Sequence, residues 1–234
     1  MKIKALLFDV FGTTVDWRSS IIKAIQRELK NKNIDVDAGK LADEWRAEYD
    51  PSMDPIRSGK RPYQRLDILH AENLKKVLER NSIFSLDEEQ ISRLVYSWHN
   101  LKPWPDVISS MARLRKKLIL ASHSNGNISL TLNMARNSGL NWDVILGAEV
   151  VGTYKPHPLS YTRAIEILDL DASECMMVAA HNSDLSAARK QGLRTCFILR
   201  TKEHGPLQSI DLKPLQNWDY SCNSFKELAD YFNC

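Results

Sequence analysis

The chain has 234 residues, of which 43% are hydrophobic and 26% charged, with a formal net charge of +3 at pH 7. That is enough apolar sequence to bury a core, the small charge gives no reason to expect nucleic acid or membrane as a partner, and no apolar run is long enough to cross a bilayer. Cys175, Cys196, Cys222 and Cys234 show no metal-ligand spacing; two lie in apolar, strand-like segments, which fits a reduced, cytoplasmic compartment.

Residues 3–10 predict a buried strand, ended by Asp9-Val10-Phe11-Gly12 and too short for a signal peptide. Residues 17–29 predict a helix with Ile21, Ile22, Ile25 and Leu29 on one face. Residues 38–99 are helical in pattern, interrupted over 50–62 by a stretch of Pro, Ser and Gly that reads as a loop. Pro103-Trp104-Pro105-Asp106 marks a change of pattern. Strands are then expected over 118–122, 144–147, 176–180 and 194–199, alternating with helices over 128–138, 158–168 and 184–191. Such alternation predicts an α/β fold, a doubly wound parallel sheet with helices on both faces. Residues 1–15 and 100–234 form this core, and residues 16–99 form a helical insertion, expected to be a cap.

In open parallel sheets the ligand site lies at the carboxyl ends of the strands. Polar residues collect there: Asp9 after the first strand, Ser124-Asn125-Gly126 after the second, Lys155 beyond the third, and His181 to Asp184 after the fourth. A carboxylate at a strand end, followed by a Gly turn and a hydroxyl, can be aimed outward as a nucleophile that forms an ester. It can equally be a turn or cap residue. His70, His99, His123, His157 and His204 show no ligand pairing and read as structural or surface residues. Trp17, Trp45, Trp98 and Trp104 read as helix or linker core, some of them able to line an apolar pocket.

The order of these segments resembles the haloacid dehalogenase superfamily over nearly the whole chain. Asp9 with Thr13, then Ser124, Lys155 and Asp184 match its four motifs. Trp45-Arg46 with Tyr49, Ser124-Asn125-Gly126, and Tyr154-Lys155-Pro156 with Tyr161 are most similar to the type II L-2-haloacid dehalogenases. The resemblance implies a Rossmann-like core of strand order 5-4-1-2-3 beneath an inserted helical cap. It implies that Asp9 displaces halide from C2 of a short 2-haloalkanoate, forming an ester that water then hydrolyses to a 2-hydroxy acid inverted at C2. Lys155, Asp184 and His181 complete the catalytic set. Thr13, Phe11, Val10, Ser124, Asn125 and Tyr161 hold the nucleophile or substrate. Arg46 and Asn125 receive the halide, with Arg57, Arg61 and Arg65 as nearby rivals to Arg46. No metal or cofactor is implied, and family habit suggests a homodimer.

Two positions separate this reading from the phosphatases of the superfamily. Those enzymes usually place an Asp two residues after the nucleophile and another four residues before the last motif Asp; Phe11 and Ala180 stand there. A departing halide needs no proton, and one substrate carboxylate can be offset by hydrogen-bond donors. The fourth motif also departs from the dehalogenases: Ala179-Ala180-His181-Asn182-Ser183-Asp184 replaces an expected Ser-Ser-Asn before the Asp. By register His181 replaces the Asn, where a neutral imidazole could hold water or act as base; Asn182 would serve if the loop shifts by one residue. The alternatives are a ring-opening hydrolase of another small carboxylate, a divergent magnesium-dependent phosphatase in which Asp9 and Asp184 hold the metal weakly, and an inactive binding protein.

Overall fold

The computed structural model describes residues 2–30, 34 and 36–234. The chain begins with β1 (Ala5–Phe8) and β2 (Val15–Asp16), then runs through α1 (Trp17–Leu29), α2 (Ala38–Ala47), α3 (Tyr49–Arg57), α4 (Leu66–Arg80) and α5 (Glu88–Tyr96). It returns through β3 (Lys102–Pro103), α6 (Val107–Leu114), β4 (Ile119–His123), α7 (Ile128–Ser138), β5 (Val144–Leu146) and α8 (Pro158–Leu168). The last elements are β6 (Cys175–Ala179), α9 (Asn182–Lys190), β7 (Arg194–Ile198), β8 (Tyr220–Cys222) and α10 (Phe225–Tyr231).

All four residues of β1 are buried, because the strand carries apolar side chains to both faces. Leu6 and Phe8 enter one core with Met176 and Val178 of β6, while Ala5 and Leu7 enter the other with Met177 and Ala179. A strand buried on both sides belongs in the middle of a parallel sheet, and β1 is there. The sheet order is β5-β4-β1-β6-β7-β8. Every pairing in it is parallel. Counting only strands of this sheet in chain order, it contains the expected 5-4-1-2-3 arrangement and adds a sixth strand, β8, outside the fifth. Phe8 is in register with Ser122 and with Val178, so the segments after β1, β4 and β6 emerge together at one edge.

The helical stretch leaves and re-enters side by side: β2 and β3 pair antiparallel, Val15 with Pro103 and Asp16 with Lys102. Asp16 then caps α1 by accepting from the Ser19 N–H at 3.0 Å. Between the two strands, Trp98 stacks on His70 at 4.2 Å and on Trp17 at 6.2 Å, with Trp45 edge-on at 5.5 Å.

The expected loop over 50–62 is corrected by the structure. Residues Tyr49–Arg57 form α3 despite Pro55 in its interior. An interior Pro costs about 3 kcal/mol, but Met53 and Ile56 are buried on the same helix, and burying each such side chain is worth about 1.5–3 kcal/mol. The loop proper begins after Arg57. No helix among the described residues is long and apolar enough to cross a membrane.

Candidate active site

Asp9 extends the β1 ladder by one bond, its N–H donating to Val178 O at 3.0 Å. The chain then turns sharply at Gly12, whose φ of +85° lies in the left-handed region that favours glycine. The turn brings Thr13 back beneath the carboxylate, where its hydroxyl donates to Asp9 Oδ2 at 2.7 Å and accepts from Ala180 N–H at 2.8 Å. Thr14 donates to Asp9 O at 2.7 Å. Thr13 therefore fixes the Asp9 rotamer rather than lining the cleft. Val10 is fully buried, its carbonyl accepting from Thr14 and Val15 N–H.

Lys155 Nζ lies between two carboxylates, 2.9 Å from Asp9 Oδ1 and 2.5 Å from Asp184 Oδ2. Its loop is held by Asn125 Oδ1, which accepts from Lys155 N–H at 2.7 Å, and by Tyr154 OH, which donates to Gln64 O at 2.5 Å. Tyr161 OH donates to the other oxygen of Asp184 at 2.6 Å. Burial opposes ionisation of Asp9, but Lys155, His181 and Thr13 outweigh it and hold the carboxyl well below the usual range. Burial likewise opposes charge on Lys155, and Asp184 with Asp9 pushes its pKa above the ordinary value.

His181 spans two acids. Its Nδ1 is 3.1 Å from Asp9 Oδ2, and its Nε2 is 3.0 Å from each oxygen of Glu203. Burial works against the charged ring, yet Glu203 and Asp9 raise its pKa well above the usual value for histidine. Both ring nitrogens thus face carboxylate acceptors, a setting that favours the charged ring over the neutral imidazole expected from the sequence. Asn182 does not take its place by a one-residue shift. It is committed to the C-terminal segment, donating to Asp211 and Lys213 O and accepting from Leu215 N–H and Trp218 Nε1–H.

Asp9, Phe11, Asn125, Lys155, Tyr161, His181 and Asp184 line one cleft of about 950 Å³. Arg46 and Tyr49 form part of its opposite wall. The Arg46 guanidinium lies 3.9 Å over the Tyr49 ring and 5.4 Å from the Trp17 ring, and its Nη1 is buried with no hydrogen-bond partner. Its rivals are engaged or outside: Arg57 pairs with Asp50, Asp54 and Lys155 O, Arg61 pairs with Glu72, and Arg65 is exposed. Ser124 does not line the cleft; its hydroxyl accepts from Gly126 N–H at 2.9 Å.

Glu203 and His204 are the site residues that sequence reading missed. They follow β7, whose carboxyl end reaches the same edge as those of β1 and β6. The strand-end rule applied to that fifth strand would have reached them. His181, Glu203 and His204 offer atoms within 4.8 Å of one another, close enough for a metal. In this structure both His181 nitrogens already lie at hydrogen-bond distance from carboxylates. His70 and His123, set aside from the sequence, are buried with pKa values pushed down by that burial to about 3.

Residues 3–192 match the family described as haloacid dehalogenase-like hydrolase. The chain belongs to that family. Among solved structures this hydrolase is similar to a defluorinating L-2-haloacid dehalogenase, at 45% identity and a TM-score of 0.97, covering 99% of this chain and 96% of the other. It is also similar to a second L-2-haloacid dehalogenase, at 43% identity and a TM-score of 0.95, with 99% of each chain covered. Haloacetate dehalogenase H-2 of Moraxella sp. (strain B) is 27% identical over 202 residues, 85% of this chain and 87% of that protein.

Proposed function

We propose that this hydrolase converts short 2-haloalkanoic acids to 2-hydroxy acids through an ester on Asp9. The observation that carries the reading is the pairing across one cleft of an ionised, buried carboxylate with the partnerless Nη1 of Arg46. In this reading one is the nucleophile and the other the anion acceptor. The names of the similar proteins support the same reading.

Asp9 attacks C2 from the face opposite the halogen, and the C–X electron pair leaves with the halide toward Arg46 and Asn125. Charge growing on the leaving group meets a preplaced cation, which lowers the barrier selectively. Water, oriented by Asp184 with Lys155 and His181 around it, then adds to the Asp9 carbonyl carbon. The Asp9 oxygen bonded to C2 departs as the hydroxyl of the 2-hydroxy acid, the oxygen of water takes its place on Asp9, and one proton is released with the halide. Phe11 stands where a phosphatase keeps its proton donor; it is 2% exposed and packs edge-on against Tyr49 and Trp98. That wall suits a leaving group that needs no proton. Residues 16–99 act as the cap in this proposal and residues 1–15 with 100–234 as the core, the cap excluding water while the ester forms. A cytoplasmic location and a homodimer belong to the same proposal. The four free cysteines support the first, and sedimentation tests the second.

Halide release from chloro-, bromo- and fluoroacetate and from both enantiomers of 2-chloropropionate, with and without a chelator, tests the activity. Chelator-insensitive release from at least one substrate is expected, with the (S)-enantiomer preferred. Chelator-sensitive phosphate release from a generic ester, with no halide from any of the five, would replace this reading by a phosphatase. Arg46→Ala should lower kcat about 10²–10³-fold with unchanged circular dichroism. Arg46→Lys should recover only part of it, because a point charge does not reproduce a planar guanidinium stacked on an aromatic ring. Wild-type turnover in Arg46→Ala would remove Arg46 from the halide site.

A further inference from the structure

Glu203 is 1% exposed, and its carboxylate receives His181 Nε2 on both oxygens and Trp17 Nε1–H at 3.2 Å. It also sits directly against Gly12 in the nucleophile turn. A Cβ at position 12 would lie 1.9 Å from Glu203 Oε1. The turn after β1, the start of α1 and the segment after β7 are therefore all shaped around this one carboxylate. A buried charge is costly unless paired and hydrogen-bonded, and here the pairing partner is the ring that faces the nucleophile.

We infer that Glu203 is a positioning residue that holds His181 as a cationic donor to Asp9 Oδ2, forming with Thr13 an oxyanion site for ester hydrolysis. The inference rests on the ester mechanism proposed above and assigns the two Asp9 oxygens different tasks. Oδ2 already faces two donors, Thr13 Oγ1–H at 2.7 Å and His181 Nδ1–H at 3.1 Å. Among the described residues Oδ1 receives only Lys155 Nζ, and it is the oxygen that bonds to C2 in this scheme. When water adds to the ester carbon, one water proton passes to Asp184 and the carbonyl electron pair moves onto Oδ2. Collapse re-forms the C=O bond and breaks the bond from the carbon to Oδ1, which leaves in the product. The departing alkoxide takes the second proton of the added water, and Asp184 returns the first to solvent.

Esterification explains why a second acid is needed. Before it, Asp9 and Glu203 both support the charge on His181; afterwards Asp9 is neutral and Glu203 supports it alone. Of the other charged groups around the pair, Lys155 from the loop after β5 and Arg46 from α2 disfavour an imidazolium. Asp184 from α9 is engaged with Lys155 and Tyr161, and Asp211 lines the outer cleft. His204 Nε2 lies 3.6 Å from Glu203 Oε1, and burial lowers its own pKa although Glu203 opposes the shift.

Glu203→Gln keeps the shape and removes the charge. Its halide burst should survive within a few-fold, while hydrolysis slows about 10²-fold, so that Asp9 ester accumulates and is seen on the tryptic peptide by mass spectrometry. Hydrolysis in the variant should fall further as pH rises through neutrality and the ring deprotonates, whereas the wild type stays flat there. Glu203→Asp should restore part of the rate. If Glu203→Gln does not fold, His181→Gln serves instead: the ester accumulates, without the pH dependence. An ester lifetime and pH profile unchanged from wild type would overturn the inference. So would hydrolysis that rises with pH, which would make His181 a base. Absence of any ester in the wild type during turnover would overturn the covalent scheme itself.

Discussion

Asp9→Asn should reduce halide release on the order of 10⁴–10⁶-fold while leaving the protein folded. The amide matches the carboxylate in volume and its one oxygen can still accept from Lys155, but it is no nucleophile toward carbon. The wild type supplies the matching positive measurement. In a single turnover in heavy-oxygen water the label should enter Asp9, because water attacks the side-chain carbon and the product leaves with an original Asp9 oxygen. Label in the product at the first turnover would mean direct attack by water and would end the covalent scheme. The variant's low rate then excludes catalysis by the remaining pocket.

Lys155→Met is the second large effect, and it touches both activity and stability. The ammonium is the only group that contacts both Asp9 and Asp184 among the described residues. Removing it leaves two buried carboxylates short of a partner, a change that typically destabilises by about 3–5 kcal/mol and here should also lower kcat about 10²–10³-fold. The pH dependence has a definite sign. In the wild type, burial is outweighed and Asp9 is held low. Its contribution to stability is therefore present above the ordinary carboxylate value and lost only as pH falls through the far lower folded value. Without Lys155 the burial that disfavours the anion has less opposing it. The folded value rises, and the acid limb of the rate profile moves toward neutrality. Urea unfolding and a pH–rate profile measure both. An unshifted acid limb with unchanged stability would show that Lys155 is dispensable to Asp9.

The core was legible because its signals are local. An apolar run that stops at Asp9 with a Gly turn behind it defines β1 and the carboxylate at its end, and the polar residues after β4 and β6 follow by the strand-end rule. What stayed hidden is set by tertiary packing. Helix α3 looked like a loop because Pro51 and Pro55 are strong local breakers, and only the burial of Met53 and Ile56 overrides them. Strand β8 and helix α10 follow a long irregular stretch with no periodicity of its own. The choice between His181 and Asn182 could not be made from spacing. At the start of α9 adjacent side chains diverge, one to Asp9 and the other to Asp211, and the pull on Asn182 comes from a segment some thirty residues onward. The setting of His181 between two acids was hidden for the same reason, since one of them is Glu203.

The paired strands β2 and β3 have a consequence for how this enzyme could diversify. Because departure and return are hydrogen-bonded neighbours, the length and content of what lies between them are decoupled from where Asp9 sits. A graft at residues 16 and 102 that exchanged the whole helical layer with a relative's would keep Asp9, Asp184 and His181 on the sheet edge while replacing Arg46 and Tyr49, along with the Gln64 and Arg57 contacts to the Lys155 loop. On the proposed scheme, the half of the chemistry that makes and hydrolyses the ester would then be inherited from one parent. The half that selects what departs would come from the other.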